Sequence, residues 1–359
     1  MRVSQLVFLC CGLFYGAVAS ALSLQHVSHA PKYIDFIASS EVAVSYTLDE
    51  PAQVTLNIFD DRDVLINKIK SSAHNEKGMY SLVWDGRDFT GSKVPAEAYK
   101  YTLVASGSGV TVEHDVSELT GGVQSSVFKL HWDKENKLIS YRVLKPLRVN
   151  IRVGLQNNGP LMATLCDWLP RETGLHEIPW DGYDSSGVFN LADIDKVQLY
   201  AEAFTLSENT ILVGPKVNEI EFVNTNKNDI IKRQRKVKRK PSMKNHSQQY
   251  IENRGDFKLR VVLPSDLPKS EAGVPIVKDI VPIRFTLTAN DNKRILNDRY
   301  EPILFIDGKY FVENEVGFFP MTWNLDSTAL TEGEHYLTIN LRGYDGHFGT
   351  ATAKIFVQH

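Results

Sequence analysis

Two stretches of this chain, Trp84-Asp85-Gly86-Arg87-Asp88-Phe89-Thr90-Gly91 and Trp180-Asp181-Gly182-Tyr183-Asp184-Ser185-Ser186-Gly187, share one pattern and lie 96 residues apart. In each, an apolar run leads into Trp, Asp-Gly turns the chain, and a second Asp and Gly finish the loop. A large aromatic at a strand end fills a sandwich core, while Asp and Gly accept the backbone angles of a tight turn. The spacing extends upstream. Ser45-Tyr46, Pro51 and Val54 recur as Ser140-Tyr141, Pro146 and Val149 at 95 residues. One net inserted residue over that length makes this a repeat of a whole folding unit, the reading to be settled before any local one.

The rest of the chain agrees with an all-β reading. Val42, Val44 and Tyr46 alternate with other residues, as do Val54, Leu56 and Ile58, and period-two spacing of β-branched and aromatic residues marks strands. Residues 64–66 and 98–104 continue the first unit; Asn157-Asn158-Gly159 supplies a hairpin turn in the second, which closes with a strand over 197–204. A third unit follows, with strands expected at 258–263, 283–289, 336–341 and 351–357, an Asp307-Gly308 hairpin within 303–311, and Trp323 before Asn324-Leu325-Asp326. No segment beyond the N-terminus has sustained helical periodicity. The expected architecture is a tandem of immunoglobulin-like β-sandwiches spanning 22–108, 118–224 and 257–359.

Residues 1–21 read as a secretory signal peptide: Arg2, an apolar run from Leu6 to Val18, then the small-x-small sites Ala17-Val18-Ala19 and Ala19-Ser20-Ala21. Cleavage would remove Cys10 and Cys11 and leave Cys166 as one strand thiol without a disulfide partner. No later stretch is long enough for a membrane span. The formal net charge of −3 points to no nucleic-acid partner. Charge is nevertheless concentrated: residues 227–244 hold nine Lys or Arg, among them Lys232, Arg233, Arg235, Lys236, Lys238, Arg239 and Lys240, against Asp229 alone. Residues 225–256 therefore read as an exposed basic linker, and those seven cations as a candidate contact for an anionic surface polymer.

The run VTLNIFDDRD followed by YSLVWDGRDFTGSKVPAEAYKYTLVA resembles the immunoglobulin-like domain family named after the flagellar hook-capping protein FlgD. Val54, Leu56, Ile58, Asp60, Trp84, Asp85, Gly86, Asp88, Gly91, Val94, Pro95, Tyr99, Tyr101 and Leu103 fit its pattern over roughly residues 30–105. Glu97 departs from it where the family has Gly before the Tyr, and Asp63 stands where a hairpin Gly is common. The second copy keeps Trp180, Asp181, Gly182, Asp184 and Gly187 and resembles a divergent member; the third unit resembles a general bacterial Ig-like domain. The resemblance implies modules of extracytoplasmic assembly, attached to other proteins, and no catalytic residues.

The sequence itself offers little chemistry. The ten His are scattered without ligand spacing, and the nucleophile-elbow and phosphate-loop patterns are missing. The paired Asp of each loop, Asp85 with Asp88 and Asp181 with Asp184, have the oxygens for calcium, but an Asp that caps its own turn has the same spacing. Trp84, Trp180 and Trp323 are expected in cores rather than as sugar-stacking platforms. Neither metal nor cofactor is expected. The reading is a secreted, non-enzymatic binding or scaffolding protein of the bacterial periplasm or cell surface, with an envelope protein or anionic polymer as partner. The alternatives are an assembly cap or chaperone for an exported filament and a carbohydrate-active accessory protein.

Overall fold

The computed structural model describes residues 22–35, 41–72, 76–214, 254–296, 299–315, 318–343 and 346–359. The alternation read in the sequence appears directly as burial. In β3 (Val42–Leu48) every second side chain is buried, and in β4 (Gln53–Phe59) Val54, Leu56 and Ile58 are fully inside. These strands belong to opposite sheets of the first sandwich. One sheet is β1 (Leu24–Ala30), β3 and β6 (Gly78–Trp84). The other runs β2 (Tyr33–Asp35), β16 (Thr210–Gly214), β7 (Glu97–Gly107), β4 and β5 (Leu65–Lys70), with β8 (Val110–His114) also on β7. Inward side chains of both sheets make one core around Trp84, Tyr46, Leu56 and Leu103.

The position of β16 corrects the expected boundary of the second unit, which ran through residue 224. Thr210–Gly214 returns to the first sandwich, pairing antiparallel with the start of β7 and parallel with β2. The cause is an open edge. β8 covers β7 only from Leu103 onward, leaving Glu97–Lys100 unpaired on that side until β16 fills it. Ile211 and Val213 then alternate into the first core. The second sandwich is thereby inserted between β8 and β16. Its sheets are β10 (Phe128–Asp133), β11 (Leu138–Val143), β14 (Gly174–Pro179), and β13 (Leu161–Arg171), β12 (Leu147–Leu155), β15 (Val197–Thr205), β9 (Gln124–Ser125). Cys166 lies in β13, buried, its thiol against the carbonyl of Val149.

The third sandwich pairs β17 (Leu259–Val262), β19 (Ile280–Leu287) and β22 (Met321–Asp326) against β18 (Ile276–Val277), β24 (Phe348–Val357), β23 (Gly333–Gly343), β20 (Tyr300–Ile306) and β21 (Lys309–Glu313). The Asp307-Gly308 hairpin forms between β20 and β21, both residues at positive φ. The last part of the strand expected at 283–289 is instead α1 (Ala289–Ile295), capped by Thr288, whose side chain accepts from the backbone N–H of Asp291. Among the described residues no helix is long and apolar enough to cross a membrane.

Candidate inter-module sites

The two Trp loops are built on the same plan. Trp84 Nε1 donates to the carbonyl of Arg87 at 2.8 Å, and Trp180 Nε1 to that of Tyr183 at 2.9 Å. The first Asp of each loop accepts the backbone N–H two residues on, at 3.2 Å for Asp85 and 3.0 Å for Asp181. The second Asp is the hub. Asp88 accepts from the N–H groups of Thr90 and Ser92; Asp184 accepts from Ser186, Val188 and Phe189. Gly86 and Gly182 sit at φ 73° and 89°, and Gly91 and Gly187 at 78° and 67°, the left-handed region where a side chain is strained. Trp84 is fully buried, its ring 5.4 Å from that of Tyr99; Trp180 is 8% exposed and lies 4.4 Å from Trp132.

Asp85, Asp88 and Asp181 thus each commit one carboxylate oxygen to backbone donors, and Asp184 commits both. Chelation by excess EDTA should leave the melting temperature where it was, as differential scanning calorimetry would read; a fall of several degrees would make Asp85, Asp88, Asp181 and Asp184 ligands.

Trp323 departs from the core reading. β22 is the outer strand of its sheet, so the ring is only half-buried at the flank of the third core, 5.1 Å from the exposed Phe311. Lys232, Arg233, Arg235, Lys236, Lys238, Arg239 and Lys240 lie outside the described residues, as does the expected signal peptide.

A site that the sequence reading did not assemble lies where the three sandwiches meet. Glu97, at the start of β7, is buried between two guanidinium groups: Oε1 is 2.8 Å from Arg148 of β12, and Oε2 is 2.5 Å from Arg254, just before the third sandwich. Arg254 also pairs with Asp61 at 3.3 Å and donates through Nε to the carbonyl of Asp167 at 3.1 Å, while the N–H of Gly255 binds the Asp167 carboxylate at 2.7 Å. Arg148 donates further to the carbonyl of Trp168. The side chains of Arg148 and Arg254 are each 4% exposed. Burial pushes the Glu97 carboxyl up, but Arg148 and Arg254 more than reverse this and hold it down at about 2. Nearby, burial pushes Asp256 up to about 6 against the pull of Arg152. The one sequence signal for this site was the departure at Glu97 from the family's Gly.

The second and third sandwiches are also clamped directly. The Asn340 amide of β23 brackets Leu161 at the start of β13, accepting its N–H and donating to its carbonyl, both at 2.8 Å; Thr350 adds a bond to the same carbonyl at 3.0 Å. Ser186 of the second Trp loop accepts the N–H of Thr352 at 2.8 Å, and Phe189 meets the Tyr336 ring edge-on at 4.7 Å. Thr338, Asn340, Thr350 and Thr352 on this sheet are buried polar residues.

Comparison with curated proteins gives no match. Among solved structures, the chain is similar to FlgD from P. aeruginosa, at 26% identity over 26% of this chain and 73% of that one, TM-score 0.21. It is also similar to the fibronectin(III)-like modules of CbhA from Clostridium thermocellum, at 11% identity over 94% of each chain, TM-score 0.20. A bacterial ice-binding adhesin matches at 11% identity over 94% of this chain and 99% of that one, TM-score 0.18. None of these superpositions bears on how the modules here are arranged. The family whose model matches is described as the FlgD Ig-like domain, and its match covers residues 33–109, so the segment that holds the Trp84 loop is a FlgD-like Ig domain within a longer all-β chain.

Proposed function

We propose that this chain is an exported, non-enzymatic scaffold of the bacterial envelope, whose three sandwiches act as one rigid body that presents surfaces to other envelope components. The observation that carries the reading is the Glu97–Arg148–Arg254–Asp61 junction. A flexible string of modules needs no buried ion network between its beads, and inter-domain contacts are by default small and mobile. Here a carboxylate of the first sandwich is shared by a cation of the second and by Arg254 of the segment that leads into the third, and the Asn340–Leu161 clamp ties the second to the third at another point.

The test is to introduce a protease site within residues 227–244, cut the folded protein and apply it to gel filtration. The two fragments should co-elute at the size of the intact chain. Elution as separate fragments would remove the rigid-scaffold reading. The basic run is proposed as the contact for an anionic surface polymer. Replacing its seven named Lys and Arg by Gln should abolish retention on such a polymer, and retention of the parent should weaken steeply with salt, since the screening length is about 8 Å at physiological ionic strength. Retention that ignores both changes would leave the run as a spacer.

A further inference from the structure

The two repeated sandwiches each end one sheet on the strand that leads into the Trp loop. That strand is β6 in the first and β14 in the second, and among the described residues neither has a strand on its other side. An edge strand offers a row of unpaired backbone N–H and carbonyl groups, so proteins blunt such edges with charge, proline or a bulge. β14 is blunted: it carries Glu177 and ends on Pro179, which has no N–H to give. β6 is not. Gly78–Trp84 holds no charge and no proline, and its register with β3 runs the whole length without a shift. The counterparts of Glu177 and Pro179, 96 residues earlier, are Ser81 and Val83. The outer face of this edge is uncharged. Met79 is 77% exposed and Val83 45%, with Ser81 between them and Ala43, Ser45 and Thr47 beside them on β3.

We propose that β6 pairs with β6 of a second copy of this chain, antiparallel about Ser81, joining the three-stranded sheets of two first sandwiches into one. The strand is complementary to itself in that register. Met79 of one chain lies opposite Val83 of the other and Tyr80 opposite Leu82, so apolar meets apolar on both faces, and Ser81 meets Ser81 at the centre. Just beyond the strand, Lys77 of each chain faces Asp85 of the other, a pair of opposite sign at both ends. Both already have a neighbour in their own chain, Asp49 for Lys77 and Arg87 at 3.4 Å for Asp85, and Glu41 and Glu76 are further charges there. The ends therefore help to set the register, while the attraction comes from the backbone bonds of the paired edges and from covering Met79 and Val83. The same pairing of β14 would set Glu177 against Glu177 and lack a donor at Pro179. The repeat thus closes this edge in its second unit and leaves it open in its first. A two-fold contact then needs only the surface that each chain already has.

The test is sedimentation equilibrium of the full chain over a concentration series. The parent should move from the mass of one chain to twice that mass as concentration rises. Ser81→Glu and Ser81→Lys, at an exposed position of the outer face, should each lose the double-mass species, because like charges then oppose one another at the two-fold. An equimolar mixture of the two variants should regain it, since opposite charges then face each other. Melting temperatures equal to the parent's, taken in dilute solution where the parent is a single chain, show that lost pairing is not lost folding. A parent that stays single at every concentration, a double-mass species that keeps its strength in both variants, or a mixture no more associated than either variant alone would each overturn the proposal. The pairing lies on the first sandwich alone, so these outcomes are independent of whether fragments cut at 227–244 co-elute.

Discussion

Glu97→Gln is expected to destabilise the protein by about 3–5 kcal/mol, the cost of removing one partner from a buried ion network and leaving the other charges uncompensated. Arg148 and Arg254 would keep their burial and lose the carboxylate that both share; Asp61 alone, at 3.3 Å from Arg254, does not reach Arg148 through any bond seen here. Because the three groups come from the first sandwich, the second, and the segment that leads into the third, the loss should also be visible as separation. Small-angle scattering should show a larger radius of gyration, and the split-chain fragments should cease to co-elute. A variant that melts and scatters like the parent would mean that the junction contributes nothing to holding the modules together. The pH dependence has a definite sign. The folded-state pKa of Glu97 is depressed to about 2, below the ordinary Glu value of about 4.3. Its contribution is therefore fully present above the unfolded pKa and is lost as pH falls through about 2. Asp256 has the opposite slope: its pKa is raised to about 6, so its term favours the folded state at low pH and fades as pH rises through that value. The difference in stability between parent and Glu97→Gln isolates the first term. It should be flat above pH 5 and shrink toward pH 2, as denaturant melts across that range would measure.

Trp84→Ala is the second large effect, at about 3–5 kcal/mol for a fully buried Trp whose neighbours cannot collapse into the space. The ring fills the first core beside Tyr99, and its indole N–H closes the loop on Arg87, so the change also removes one of the two donors to that carbonyl, the Asn67 amide being the other. Trp323→Ala is the internal comparison. Its ring is half-buried at the rim of the third core, so its loss should cost clearly less. Since the chain has several sandwich cores, the comparison is made on the individual transitions of a calorimetric trace and not on a single two-state fit. Equal melting of parent and Trp84→Ala would return the Trp to a surface role.

Much of this architecture could be read along the chain because the relevant signals are local. Strand alternation has a period of two, so Val42, Val44 and Tyr46, or Val54, Leu56 and Ile58, declare their buried face within a few residues. The turn at Asn157-Asn158 declares itself in the same way, both residues adopting φ near 60°. The bonds that close the Trp loops on themselves span five residues or fewer, so the sequence alone determined their turn, and their repeat determined that two sandwiches share it. What only the tertiary structure decided depends on contacts far apart in the chain. β16 looks like any short apolar strand, and nothing in residues 210–214 says that its partner is β7 rather than a strand of the unit just completed; the open edge at Glu97–Lys100 settles that. Glu97 and Arg254 are 157 residues apart, and no periodicity links a carboxylate to a guanidinium over that distance. Two loops alike in sequence have different surroundings for the same reason. Local hydrogen bonds shaped both, but whether a Trp loop holds a neighbour, as Ser186 and Phe189 do, depends on which sheet face the folded chain brings to it.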